Sequence, residues 1–231
     1  MGAYHESQRG GGEERRTRDA RAFVENVEEM VERLPAGEAV PTISIDGEDL
    51  SGTVVCVVDV DGALTRIVID DGWWDAVGPG GVAAAVLDAL RSAKSKSTMA
   101  RLIFGRHGLR DGRAPVDLGR LFTGELSEPL PPYDDDRFSA ALARTADRAL
   151  TILDAARRFG QLRDSPLRWV VSGPRGMFRV HMKGLNVVGA EVGEVSLHRS
   201  DAAVLAEDAL AALSRATSPE YQTEQATGRG R

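Results

Sequence analysis

Residues 51–93 read SGTVVCVVDVDGALTRIVIDDGWWDAVGPGGVAAAVLDALRSA, and this stretch decides the fold. Two runs rich in β-branched residues flank Asp61-Gly62, and a Gly-Pro break then leads into an alanine-rich segment. Asp-Gly between hydrophobic runs is a strong hairpin signal, because a two-residue type I′ turn needs positive φ at both central positions. The reading predicts antiparallel strands over residues 53–60 and 64–70, joined at Asp61-Gly62. Pro79 suits the first turn of a helix, where no N–H is required. Val82, Val86, Leu90 and Ala93 then recur on one face at helical spacing. The unit is a hairpin with a helix packed on one side.

Upstream, residues 13–34 carry an apolar stripe of Ala20, Phe23, Val24, Val27, Met30, Val31 and Leu34 at three- and four-residue steps. Pro35 and Gly37 end that helix, and residues 42–45 make a short strand before the central unit. Residues 1–12 are polar and glycine-rich and are expected to be disordered. Downstream, the helix after Pro79 is expected to run to Phe104. Residues 105–133 are rich in Gly and Pro and read as a connector. Asp134-Asp135-Asp136 opens a further helix, since acidic side chains suit the positive end of the helix dipole. Phe138, Leu142, Thr145, Ala149, Leu153 and Ala156 form its apolar face, and Gly160 closes it.

The rest of the chain resembles a second copy of the first. Ser172-Gly173 sits where Ser51-Gly52 sat, at an offset of 121, and Lys183-Gly184 matches Asp61-Gly62 at 122. Residues 209–218 (ALAALSRATS) match residues 86–95 (VLDALRSAKS) at 123, with five of ten positions identical. The shared order of helix, strands and helix at a near-constant offset points to an internal duplication. The expected organisation is α+β: one α-β-β-β-α unit over 13–104 and a degenerate second over 134–217, followed by a disordered tail over 218–231. Their antiparallel sheets, flanked by helices, are packed or paired as a pseudo-dimer within one chain.

A helix, a glycine-led strand series (SGTVVCVVDVDGALTRIVID) and a helix of the AVLDALRSAKS kind together resemble the YbaB/EbfC nucleoid-associated family. The resemblance is clearest over residues 13–104 and fainter over 134–217, where Val188-Gly189-Ala190 interrupts the third apolar run. It implies an α-β-β-β-α fold whose sheet pairs two protomers, and association with duplex DNA with little sequence preference. A second function class stays open beside it: a non-enzymatic protein-interaction adaptor, for instance accessory to a specialised secretion system.

The 231-residue chain has a formal charge of −6, unevenly spread. Residues 1–100 hold 10 Lys/Arg and 18 Asp/Glu, while the remainder holds 19 and 17. An acidic chain argues against bulk electrostatic attraction to nucleic acid, although local basic patches still bind it. One cysteine, Cys56, permits no disulfide within the chain and fits a reducing cytoplasm. The N-terminal residues lack the apolar core of a signal peptide, and no run of about 18 apolar residues suggests a membrane span. The expected location is cytoplasmic, and nucleoid-associated if the chain binds DNA.

No enzymatic constellation emerges. His5, His107, His181 and His198 lack metal-ligand spacing. Gly78-Pro79-Gly80-Gly81 has neither the Lys-Ser/Thr of a P-loop nor a dinucleotide fingerprint. Cys56, between apolar neighbours, reads as a buried inert thiol. Asp59 and Asp61 read as solvated turn acids. No cofactor or metal is called for. Of Trp73-Trp74, one indole is expected to plug the core and the other to face an interface, with itself or another protein as partner through the sheet. The basic residues are the remaining candidates. Arg91, Lys94, Lys96, Arg101, Arg106, Arg110 and Arg113 form one run; Arg157, Arg158, Arg163, Arg168, Arg175, Arg179 and Lys183 form another. Clustered Lys/Arg suits phosphate contact without special spacing.

Overall fold

A computed structural model describes residues 3–34, 41–109, 166–193, 197–218 and 221–222, with side-chain environments from residue 13 onward. The expected helix over 134–160 and nearly all of the 105–133 connector lie outside the described residues. The elements are α1 (Ala3–Glu32), β1 (Ile45–Glu48), β2 (Val54–Val58), β3 (Leu64–Ile69), α2 (Trp73–Ala76) and α3 (Gly78–Arg106). They continue with β4 (Arg168–Ser172), β5 (Phe178–Lys183), β6 (Asn186–Val192), a 3-10 turn (Arg199–Asp201) and α4 (Ala202–Thr217). The strands form two three-stranded antiparallel sheets, β1-β2-β3 and β4-β5-β6. The protein is therefore α+β.

Val82, Val86, Leu90 and Ala93 are all buried, as their spacing predicts. Helix α3 packs across β1 and β2 and also on β6; reciprocally, α4 packs on β4 and β5 and also on β3. Each helix thus covers its own sheet and an edge strand of the other. Val54, Val58, Phe178 and Val180 accordingly belong to one continuous core. That exchange makes each sheet depend on both helices.

The first hairpin is where expected, but its turn differs. Only Gly62 has positive φ (81°), no non-glycine residue does, and the Gly62 N–H donates to the Asp59 carbonyl at 3.0 Å. The Asp59 N–H donates to the Ala63 carbonyl at 3.0 Å. This is a three-residue loop of type I turn and glycine bulge, in place of type I′. The Asp59 carboxylate closes it by accepting the Ala63 N–H at 2.8 Å. Gly62→Val, which forces a β-branched residue into the left-handed region, is expected to destabilise the protein by about 1–3 kcal/mol. A thermal midpoint equal to the parent's would contradict that geometry.

Strand β1 lies over Ile45–Glu48 instead of 42–45. Its buried face is Ile45 and Gly47, and glycine carries no hydropathic signal. A Cβ at Gly47 would stand 2.1 Å from the Ala93 amide nitrogen, so α3 crosses β1 where only glycine lets the backbones meet. Strand β6 runs straight through Val188-Gly189-Ala190, with a register irregularity opposite His181/Met182.

The two sheets repeat each other in detail. The Asp49 N–H donates to the Val54 carbonyl and the Gly52 N–H to the Asp49 carbonyl; Gly173, Phe178 and Gly176 repeat both bonds 124 residues later. Gly52 (φ 75°) therefore corresponds to Gly176 (φ 67°), so the expected Ser51-Gly52/Ser172-Gly173 match is three residues out. Gly62 and Gly184 (φ 58°) do not correspond: Lys183 takes the place of Asp59, so Gly184 stands where Val60 does, and the loop over residues 60–62 is replaced by a shorter one over 184–185. The offset of 123 fits the helices: Val82, Val86, Ala89, Leu90 and Ala93 are buried, and so are their counterparts Leu205, Ala209, Ala212, Leu213 and Ala216.

Equivalent turns are closed by different carboxylates. Asp49 accepts the Ser51 and Val54 amides of its own loop, each at 2.9 Å. In the second sheet Gly173 stands in its place, and Asp208 reaches in from α4. Asp208 accepts the equivalent Arg175 and Phe178 amides at 2.6 and 2.9 Å, and also that of Met177 at 2.8 Å. A side chain at Gly173 would collide with the Asp208 carboxylate, 2.4 Å from an added Cβ.

Candidate functional site

Helix α3 presents a row of cations. Arg91, Lys94, Arg101 and Arg106 are exposed and lie within one broad face at helical spacing. Residues 89–106 contain no acid. The nearest, Asp88, stands 3.8 Å from Arg91 but is held at 2.6 Å by Arg16 of α1. Lys94, Arg101 and Arg106 have no ion-pair partner among the described residues. From Arg91 to Arg106 the row spans about 22 Å at about 1.5 Å per residue. Arg91 and Lys94 also border a groove of about 230 Å³ shared with Leu185 and Val187 of the second unit.

Lys96 departs from the expected set. It is only 4 % exposed, its ammonium is 2.6 Å from Asp19 and 3.8 Å from Asp46, and it lies 5.6 Å from the Phe23 ring centroid. Its position on α3 faces α1, so its charge serves to dock that helix. Spacing along α3 gives no hint of this, because Asp19 lies far upstream in sequence. Arg110, Arg113, Arg157, Arg158 and Arg163 lie outside the described residues.

Of the second run, Arg168 and Lys183 are directly opposed across β4 and β5, and Arg179 projects from the same face of the sheet. Arg179 and His181 share Glu191, at 3.9 and 3.3 Å. Arg175 pairs loosely with Glu207 at 3.7 Å on the surface.

Trp73 is fully buried, and its indole N–H donates to the Arg199 carbonyl at 3.3 Å. It therefore fills the junction between the two units. Trp74 is half-buried and meets Trp73 edge-to-face at 5.3 Å. Beside them Arg199 bonds Asp75 at 2.6 Å on the surface. The sequence marks the indoles as unusual, but their partner lies 126 residues away.

Cys56 is buried against α3, and burial, helped by the Asp49 charge, pushes its thiol up to about 12. A thiol so held stays protonated and unreactive at neutral pH. Gly78-Pro79-Gly80-Gly81 is the plain opening turn of α3. Among the described residues no cluster of His, Cys, Asp or Glu could hold a metal, and no helix is long and apolar enough to cross a membrane. No protein-family model matches the chain, and no match is found among curated proteins or solved structures.

Proposed function

We propose that the chain is a tandem pair of YbaB-like α-β-β-β-α units, fused as an internal pseudo-dimer, that binds duplex DNA with little sequence preference. The repeated turns and the reciprocal helix packing support the duplication. One observation carries the DNA reading: α3 holds four exposed cations along residues 89–106, a stretch with no acidic residue, within an otherwise acidic chain. Contacts of this type follow the phosphate backbone and release counterions. With about four phosphates engaged, affinity is expected to fall roughly a hundredfold between ~50 and ~200 mM salt.

Joint substitution Arg91→Glu, Lys94→Glu and Arg101→Glu is expected to abolish a low-salt gel shift for every duplex sequence alike. These side chains are exposed, so the variant keeps its fold. Absence of any shift by the parent protein at about 50 mM salt, where such binding is near its strongest, would end the DNA reading. The second reading, a protein-interaction adaptor, has one observation in its favour: among the described residues nothing pairs with the β4 edge of the second sheet.

A further inference from the structure

The two sheets share a framework but not their outer faces. At equivalent positions Glu48, Val55 and Asp59 of the first sheet give way to Ser172, Arg179 and Lys183 in the second. Folding constrains the inner faces that meet α3 and α4; it does not require this change of charge outside. Arg168 and Lys183, moreover, oppose each other at a non-hydrogen-bonded position, where Cα atoms approach to about 4.5 Å and side chains crowd most. Like charges so placed cost stability. Neither has an ion-pair partner among the described residues.

The edges differ as well. In the first sheet the outward-facing Glu48 carbonyl is capped by Arg16 at 2.9 Å, and the nearby Leu50 carbonyl by Arg15 at 2.7 Å. In the second, the Gly173–Phe178 and Gly184–Leu167 bonds bracket the β4–β5 ladder, so the odd-numbered residues of β4 bond to β5. The N–H and C=O groups of Arg168, Val170 and Ser172 therefore point to the free edge. Among the described residues nothing bonds to them. Val170, at the middle of this edge, is 48 % exposed. An unpaired edge of this kind is a template for another strand.

We infer that the β4 edge takes an extended acidic peptide segment of a partner protein as a fourth strand. Its main chain bonds to Arg168, Val170 and Ser172, an apolar side chain covers Val170, and acidic side chains lie beside Arg168 and Lys183. This is strand addition, in which main-chain bonds supply affinity and alternate side chains supply selectivity. A second copy of the chain fits less well, because it would bring further cations to the same face. The inference rests on the adaptor reading and does not require DNA contact.

The test uses the full chain and a synthetic peptide of about nine alternating Glu and Val residues, a typical strand length. Titration is expected to give saturable binding, with amide shifts concentrated at residues 168–172. Val170→Pro removes one edge donor that has no partner among the described residues, and is expected to weaken binding about tenfold. Joint Arg168→Glu and Lys183→Glu substitution is expected to abolish binding of this peptide and to admit a Lys/Val peptide instead. If Val170→Pro unfolds, a Glu/Val peptide N-methylated at alternate residues provides the same comparison on the parent chain.

No saturable binding by the parent overturns the inference. Equal binding of the N-methylated peptide also overturns it, leaving electrostatic attachment and a protein-interaction reading that needs another surface. Self-association lost in Val170→Pro would make the occupant a second copy. Displacement of the peptide by duplex DNA, with the gel shift lost in the Arg168/Lys183 variant, would make the face a nucleic-acid surface. Either result overturns the peptide assignment.

Discussion

Gly47→Val is expected to destabilise the protein by about 3 kcal/mol or more, because the added atoms meet backbone that has no rotamer to yield. The first of them, the Cβ, would lie 2.1 Å from the Ala93 nitrogen and 2.7 Å from the Ala89 carbonyl oxygen. Helix α3 would have to withdraw from β1, and the same helix also covers β2 and β6. The damage is thus expected to spread to both sheets, with faster amide exchange in β1, β2 and β6. For a chain of this size the thermal midpoint should drop by roughly 10 °C. Gly189→Ala is the control. The nearest atom to its Cβ, outside its chain neighbours, is His181 Cδ2 at 4.0 Å, so the change is expected to stay within about 0.5 kcal/mol. If Gly47→Ala proves as mild as Gly189→Ala, the close strand–helix crossing is wrong.

Asp208→Ala is expected to cost about 4 kcal/mol. The carboxylate is 1 % exposed and accepts three amides of the turn before β5. Hydrogen bonds to a charged group contribute about 1.5–3 kcal/mol each, and buried donors left without an acceptor lose their hydration as well. Substitution by asparagine keeps the shape and one acceptor oxygen, so it should cost less than alanine. Exchange of the Arg175, Met177 and Phe178 amides is expected to accelerate in both variants, and most in the alanine one. Unchanged exchange at these three amides, with an unchanged melting midpoint, would contradict the role assigned to Asp208. Because Gly173 leaves room for this carboxylate, Gly173→Ala should reproduce much of the loss.

Some of this architecture could be read without coordinates. The register of α3 follows from Val82, Val86, Leu90 and Ala93, whose period matches a helix with one buried face. The hairpin at Asp61-Gly62 was legible because few residues tolerate positive φ. The likeness of the two sheets and their helices was legible as order and offset. Its alignment at Ser172-Gly173 failed because a shared dipeptide is weaker evidence than a shared bond pattern. The turn bonds place Gly176, not Gly173, opposite Gly52. The candidate surfaces were less legible. Arg91, Lys94, Arg101 and Arg106 stayed exposed, while Lys96 was drawn into an ion pair with Asp19 by the docking of α1. That β4 has no strand partner on its second side among the described residues was invisible, since hydropathy reports which face of a strand is buried and never which side is paired.

Local periodicity and backbone preference act over a few residues, and they suffice for the α+β class, the α3 register, the site of the first hairpin and the approximate repeat. Long-range packing was needed to show that β1 centres on a glycine, that Asp208 closes a turn some 30 residues upstream, and that Trp73 seals the junction at Arg199. It alone decided which cations remain free. Each of these depends on which distant segment arrives alongside, and no spacing along one element carries that information.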